Sequence, residues 1–174
     1  MTNAYSTHGA PASTRGVVFV HACPPAIAPH VEWALAGVLG VPPRMAWTAQ
    51  PADPGTLRAE VVWRAPVGTG PRLAASLRAW PMLVFEVTEE GTADSDGERL
   101  AHLPGRGFHR AMIAANGDVV VGEERLRGVL ARCASADEYR HALHELVGTA
   151  WDEALEPYRL AADGLPVHLL HQVV

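Results

Sequence analysis

A chain of 174 residues with 48% hydrophobic and 19% charged residues has the apolar content for a substantial core and too little charge for a disordered protein. Its formal net charge of -5 and pI near 6.0 argue against a nucleic-acid footprint. The two cysteines, Cys23 and Cys133, are too few for a disulfide framework, no run is long and apolar enough to span a membrane, and no secretory signal opens the chain, so the expected protein is cytoplasmic.

Residues 1–14 are small and polar and are predicted to form a disordered tail, ahead of a single α+β domain over 15–174. Residues 17–21 are rich in β-branched side chains and end at Cys23-Pro24-Pro25, which predicts a strand. Val31, Ala34, Leu35, Val38 and Leu39 then recur at helical spacing, with Pro29 suited to the first turn and Gly40 to the C-terminal cap. Residues 44–50 predict a short strand and 51–55 a turn. In 57–64, Leu57, Ala59, Val61 and Trp63 alternate with Arg58, Glu60, Val62 and Arg64, a strand with one mainly polar face. Gly68-Thr69-Gly70-Pro71 opens a second helix with Leu73, Leu77 and Trp80 on one side, and 82–88 is the fourth strand. This order over 16–88 is the ferredoxin-like βαββαβ arrangement, two helices on one face of a sheet.

Residues 89–98 are rich in Gly, Asp and Glu and predict a flexible loop. A covering part follows over 99–174. Asn116-Gly117 between 108–115 and 118–121 signals a hairpin. Residues 123–133 predict a helix, and Ser135 with Glu138 a capping box for the next, whose apolar stripe runs through Tyr139, Ala142, Leu143, Leu146, Val147 and Ala150. Pro157 is expected to end that helical stretch or lie just past it. A final strand is expected over 167–174. The first strand is apolar on both faces, Val17 and Phe19 against Val18 and Val20, so the C-terminal hairpin, helices and final strand are expected to pack over the sheet.

His21, at the end of the first strand, precedes the proline-rich turn leading to His30 at a helix start. Arg58, Glu60 and Glu86 are placed to share its sheet surface, and His171 of the last strand to reach the same sheet. An imidazole with carboxylates and a guanidinium suits acid–base work or anion binding, and equally a buried paired network. Trp33 lies on the flank of its helix stripe, where a pocket or interface is open to it. His141 and His144 lack the metalloprotease order and fall on a solvated helix face, so no metal and no cofactor is expected. Cys23 reads as a small apolar side chain, and Gly68-Thr69-Gly70 as a helix-start turn rather than a phosphate loop.

Pro29-His30-Val31-Glu32-Trp33-Ala34, Gln50-Pro51-Ala52, Pro54-Gly55-Thr56, Phe85-Glu86-Val87-Thr88, Trp151-Asp152, Glu156-Pro157 and Leu170-His171-Gln172-Val173-Val174 together resemble the actinobacterial domain of unknown function family 3145 from about residue 15 to the end. The resemblance brings no activity with it and implies a link to acyl-chain metabolism. Cys23 and the His141–His144 pair are not carried over from it.

The expected function is a non-catalytic binding or regulatory module for a protein partner or small ligand, with neither nucleic acid nor membrane insertion, and with no feature that fixes the oligomeric state. Its candidate binding residues are His30, Trp33, Arg58, Glu60, Glu86 and His171. The alternative is a small enzyme acting on an anionic or acyl substrate, with His21 as general base and Arg58 as anion anchor. The absence of a nucleophile, metal cluster or cofactor fingerprint favours the first.

Overall fold

The structure, a computed structural model, describes residues 12–162. The β-branched N-terminal run forms β1 (Ser13–Cys23), which already starts inside the segment expected to be a tail. A turn of 3-10 helix over Pro25–Ile27 leads into α1 (Ala28–Leu39), which Gly40 closes in the left-handed conformation. β2 is only Thr48–Ala49, much shorter than the strand expected over 44–50. Pro42-Pro43 lie just upstream, and the Trp47 indole is tied down onto α1 by donating to Glu32 Oε1 at 2.7 Å. β3 (Leu57–Pro66), α2 (Thr69–Leu77) and β4 (Val84–Glu89) follow. Trp80 lies past the end of α2 and still packs, half-buried, on the core.

The acidic segment expected as a loop over 89–98 is the connection after β4, shortened because strands take Glu89 at one end and Gly97-Glu98 at the other. Thr92 and Ser95 bridge across a tight connection, and Gly97–Leu103 forms β5. β6 (Gly107–Ile113) and β7 (Val119–Val120) form the hairpin around Asn116-Gly117. This hairpin does not pack on the sheet as expected; it extends it. The described residues form one antiparallel seven-stranded sheet in the order β2-β3-β1-β4-β5-β6-β7. Adding β5 pairs the β4 edge that a four-stranded sheet would leave open.

α1 and α2 cover one face. Val31, Leu35, Leu73 and Leu77 meet Val18, Val20, Val61, Phe85 and Val87 there, and all are buried. Gly16 sits where the sheet closes most tightly: a Cβ would fall 1.9 Å from the Thr88 carbonyl oxygen.

Three C-terminal helices follow: α3 (Glu123–Arg132), α4 (Ala136–Val147) and α5 (Thr149–Ala162). Ser135 caps α4 by accepting from the Glu138 N–H. The stripe expected to continue to Ala150 breaks at Gly148, whose φ of 81° turns the chain, and a Cβ there would lie 2.5 Å from His109 Nε2. The turn sends α5 across the second face of the sheet. Trp151 stacks on His109 and donates to the Gly107 carbonyl, and Leu155 packs on Ala22, Val84, Ala101 and Leu103. Pro157 lies inside α5 instead of ending it. Leu155 and Ala161 are buried on either side of it, and this packing outweighs the missing backbone hydrogen bond.

Candidate functional site

The face under α5 is where the polar residues collect. In antiparallel register Phe19 lies between Glu60 of β3 and Glu86 of β4, and Arg99 of β5 is opposite Thr88. The registers of β1 with both neighbours shift after Val20, so His21 sits in a bulge. Such a bulge re-aims its residue. The Gln50 side chain holds the bulge by donating to the His21 carbonyl at 2.7 Å.

Glu86 is the hub. Its carboxylate is buried and accepts four hydrogen bonds: His21 Nε2 at 2.8 Å, Arg99 Nε at 2.9 Å, Arg159 Nε at 3.0 Å and Arg159 Nη2 at 2.6 Å. Burial acts to raise its pKa. The hydrogen bonds from His21 and Arg159 and the charges of Arg99 and Arg159 outweigh burial and hold the carboxyl well below the usual range. An ionised carboxylate only accepts, so the His21 proton toward it is on Nε2. Asp152 of α5 accepts from both Arg99 and Arg159. Two guanidinium groups thus share two hydrogen-bonded carboxylates, and Glu156 Oε2 lies 3.7 Å from Arg159 Nη1 as a further counter-charge.

A cavity of about 600 Å³ opens beside the hub. His21, Arg58, Glu60 and Glu86 all line it, together with Arg99 and Arg159. Four residues singled out from the sequence therefore converge, although the first and last are buried in the network. Arg58 differs from the other two arginines. Its Nη2 donates to the Ala162 carbonyl at 3.3 Å, while its Nε is buried with no partner among the described residues. Glu60 is exposed and makes no ion pair among the described residues. Phe19, Ala46 and Ala162 supply apolar wall.

His30 and Trp33 do not join this cavity. They stand on α1, on the opposite side of the sheet, as an exposed T-shaped pair 5.2 Å apart, with Trp80 next to His30. His171 lies outside the described residues, as does the strand expected over 167–174.

Arg99, Asp152 and Arg159 were not anticipated. A signal exists for the last two, since Asp152, Leu155 and Arg159 are spaced i, i+3, i+7, one helix face. Arg99 carries no comparable signal, because its strand is too polar and glycine-led to show a pattern.

Other sequence candidates resolve into structural roles. Burial pushes the Cys23 thiol up to about 11, which makes it a poor nucleophile. His144 pairs with the Thr149 hydroxyl, and no group of three or more metal-ligating side chains occurs among the described residues. The Gly68-Thr69-Gly70 cradle is already filled by the chain's own anion: Glu89 accepts from the Gly68 and Gly70 N–H groups, each at 2.6 Å. Glu89→Ala is expected to cost about 2 kcal/mol, the value of charge-assisted bonds at a helix start, as a lowered urea midpoint with unchanged slope.

A family model described as "Protein of unknown function (DUF3145)" matches residues 17–172, and the chain belongs to that family. No curated protein and no solved structure matches it. Among the described residues no helix is long and apolar enough to cross a membrane.

Proposed function

We propose that this member of a family of unknown function is a non-catalytic binding module whose cavity beneath α5 takes a small organic anion. The observation that carries the reading is Arg58. It is the cavity's one guanidinium with no carboxylate partner among the described residues, and its Nε is buried without an acceptor there, whereas Arg99 and Arg159 are paired with Glu86 and Asp152. A carboxylate on Arg58, with an apolar tail along Phe19, Ala46 and Ala162, uses both kinds of wall. Such a ligand also suits the link to acyl-chain metabolism that the resemblance implies.

The unit from β1 to β4 supports a ferredoxin-like reading. Its order β2-β3-β1-β4 is wholly antiparallel, and α1 and α2 lie on one face. The shared sheet supports one domain over the described residues, and two free cysteines suit a cytoplasmic protein.

The His21–Glu86 pair favours a second reading, an enzyme with His21 as general base oriented by a carboxylate. It ranks second because Glu86 already accepts from two arginines, which weakens its support for an imidazolium.

Isothermal titration with saturated monocarboxylates of increasing chain length tests the first reading. Binding to the wild type is expected, at least about tenfold weaker in Arg58→Ala, as for the loss of a charged hydrogen bond. No binding of any carboxylate would remove the reading. Chemical turnover of a bound acid ester, lost in His21→Gln, would favour the second.

A further inference from the structure

We infer that the chain pairs with a second copy of itself along the outer edge of β3, in an antiparallel two-fold arrangement centred on Val62. β2 covers only the start of this strand, pairing Thr48 with Arg58 and Ala49 with Leu57. From Ala59 onward the edge has no strand beside it among the described residues.

The direction of the edge groups follows from the ladder with β1. Val67 donates its N–H to the Ala12 carbonyl, and the register is constant from Ser13↔Pro66 to Val20↔Ala59. Bonding alternates along an antiparallel strand, so Ala65, Trp63, Val61 and Ala59 face β1. Glu60, Val62 and Arg64 therefore direct their N–H and C=O groups to the open edge. The window is symmetric about Val62. Four residues before it, Arg58 is occupied by β2; four residues after it, Pro66 has no N–H to give.

The side chains complete the match. Val62 is 72% exposed on this otherwise charged face, with Glu60 and Arg64 exposed on either side. A two-fold axis through Val62 places Val62 against itself and Glu60 opposite Arg64 of the second copy, twice. The edge is thus complementary in charge and hydrogen bonding to itself, as an isologous contact requires. Glu60 also lines the cavity, so this pairing neutralises the carboxylate at its rim, whatever the cavity binds.

Light scattering coupled to size-exclusion chromatography, run as a dilution series, tests the inference. The wild type is expected to contain a species of twice the 18.6 kDa chain mass. Val62→Lys and Glu60→Arg place like charges face to face and are expected to raise the dimer dissociation constant at least about tenfold. The double change Glu60→Arg with Arg64→Glu restores opposite charges and should recover the dimer. All these positions are exposed, and circular dichroism confirms that each variant is folded. A wild type that stays monomeric throughout, or a dimer indifferent to Val62→Lys, overturns the proposal. A dimer lost in Glu60→Arg but not recovered by the double change overturns the register.

Discussion

Glu86→Gln is expected to lower stability by about 3–5 kcal/mol, the cost of removing one partner from a buried charge cluster. The amide is nearly isosteric, so packing is preserved and the loss is electrostatic. Four donors converge on the carboxylate, and three of them belong to guanidinium groups whose side chains are only 24% and 30% exposed. With the carboxylate gone, Asp152 alone faces both arginines. For a chain of this size the thermal midpoint should fall by roughly 10 °C. The same substitution changes the pH profile. The folded-state pKa of Glu86 is depressed, because the hydrogen bonds and arginine charges overcome a burial effect of opposite sign. Its stabilisation is therefore fully present above the ordinary glutamate pKa and is lost as pH falls through the acid range. Urea titrations from neutral pH downward should show the wild type losing stability below about pH 4 and Glu86→Gln losing less over that interval. A loss under about 1 kcal/mol at neutral pH would mean that the cluster is a solvated surface feature.

Much of the sheet was legible because the front-face alternation is strong. Val18 and Val20 in β1, Val61 and Trp63 in β3, and Phe85 and Val87 in β4 all point into one core, and strand identity follows from that period. β5 was not legible. Its first residues, Gly97 and Glu98, belong to the acidic run read as a loop, and the segment is a strand because β4 and β6 pair with both its edges. The same holds for Pro157, whose local preference to end a helix is overridden by contacts with β1, β4 and β5, all distant in sequence. For the site, His21, Arg58, Glu60 and Glu86 could be placed on one surface by strand parity alone. His30 could not be separated from them, since the sequence does not show that α1 turns to the opposite face. Arg99 and Arg159 were missed for a related reason. An ion-pair hub is a meeting of distant elements, and neither arginine stands out until β5 and α5 are in position.

The position of α5 leads to the second large effect. Leu155 is fully buried between α5 and the strands, against Ala22, Val84, Ala101 and Leu103. Leu155→Ala is expected to cost about 3 kcal/mol through lost apolar burial and the cavity left behind. Its consequence should extend past stability. Asp152 and Arg159 ride on the same helix face, and Arg159 and Ala162 line the cavity, so loosening α5 moves part of the wall. Leu73→Ala is the appropriate comparison, because Leu73 is equally buried but belongs to α2 on the opposite face. Both variants should show similar losses in urea denaturation. Only Leu155→Ala should also weaken carboxylate binding under conditions where both proteins remain folded. Equal binding in the two variants would separate α5 from the cavity's function and leave it as a structural cover. Weakened binding in Leu155→Ala alone would show that the helix closing the sheet also shapes the cavity.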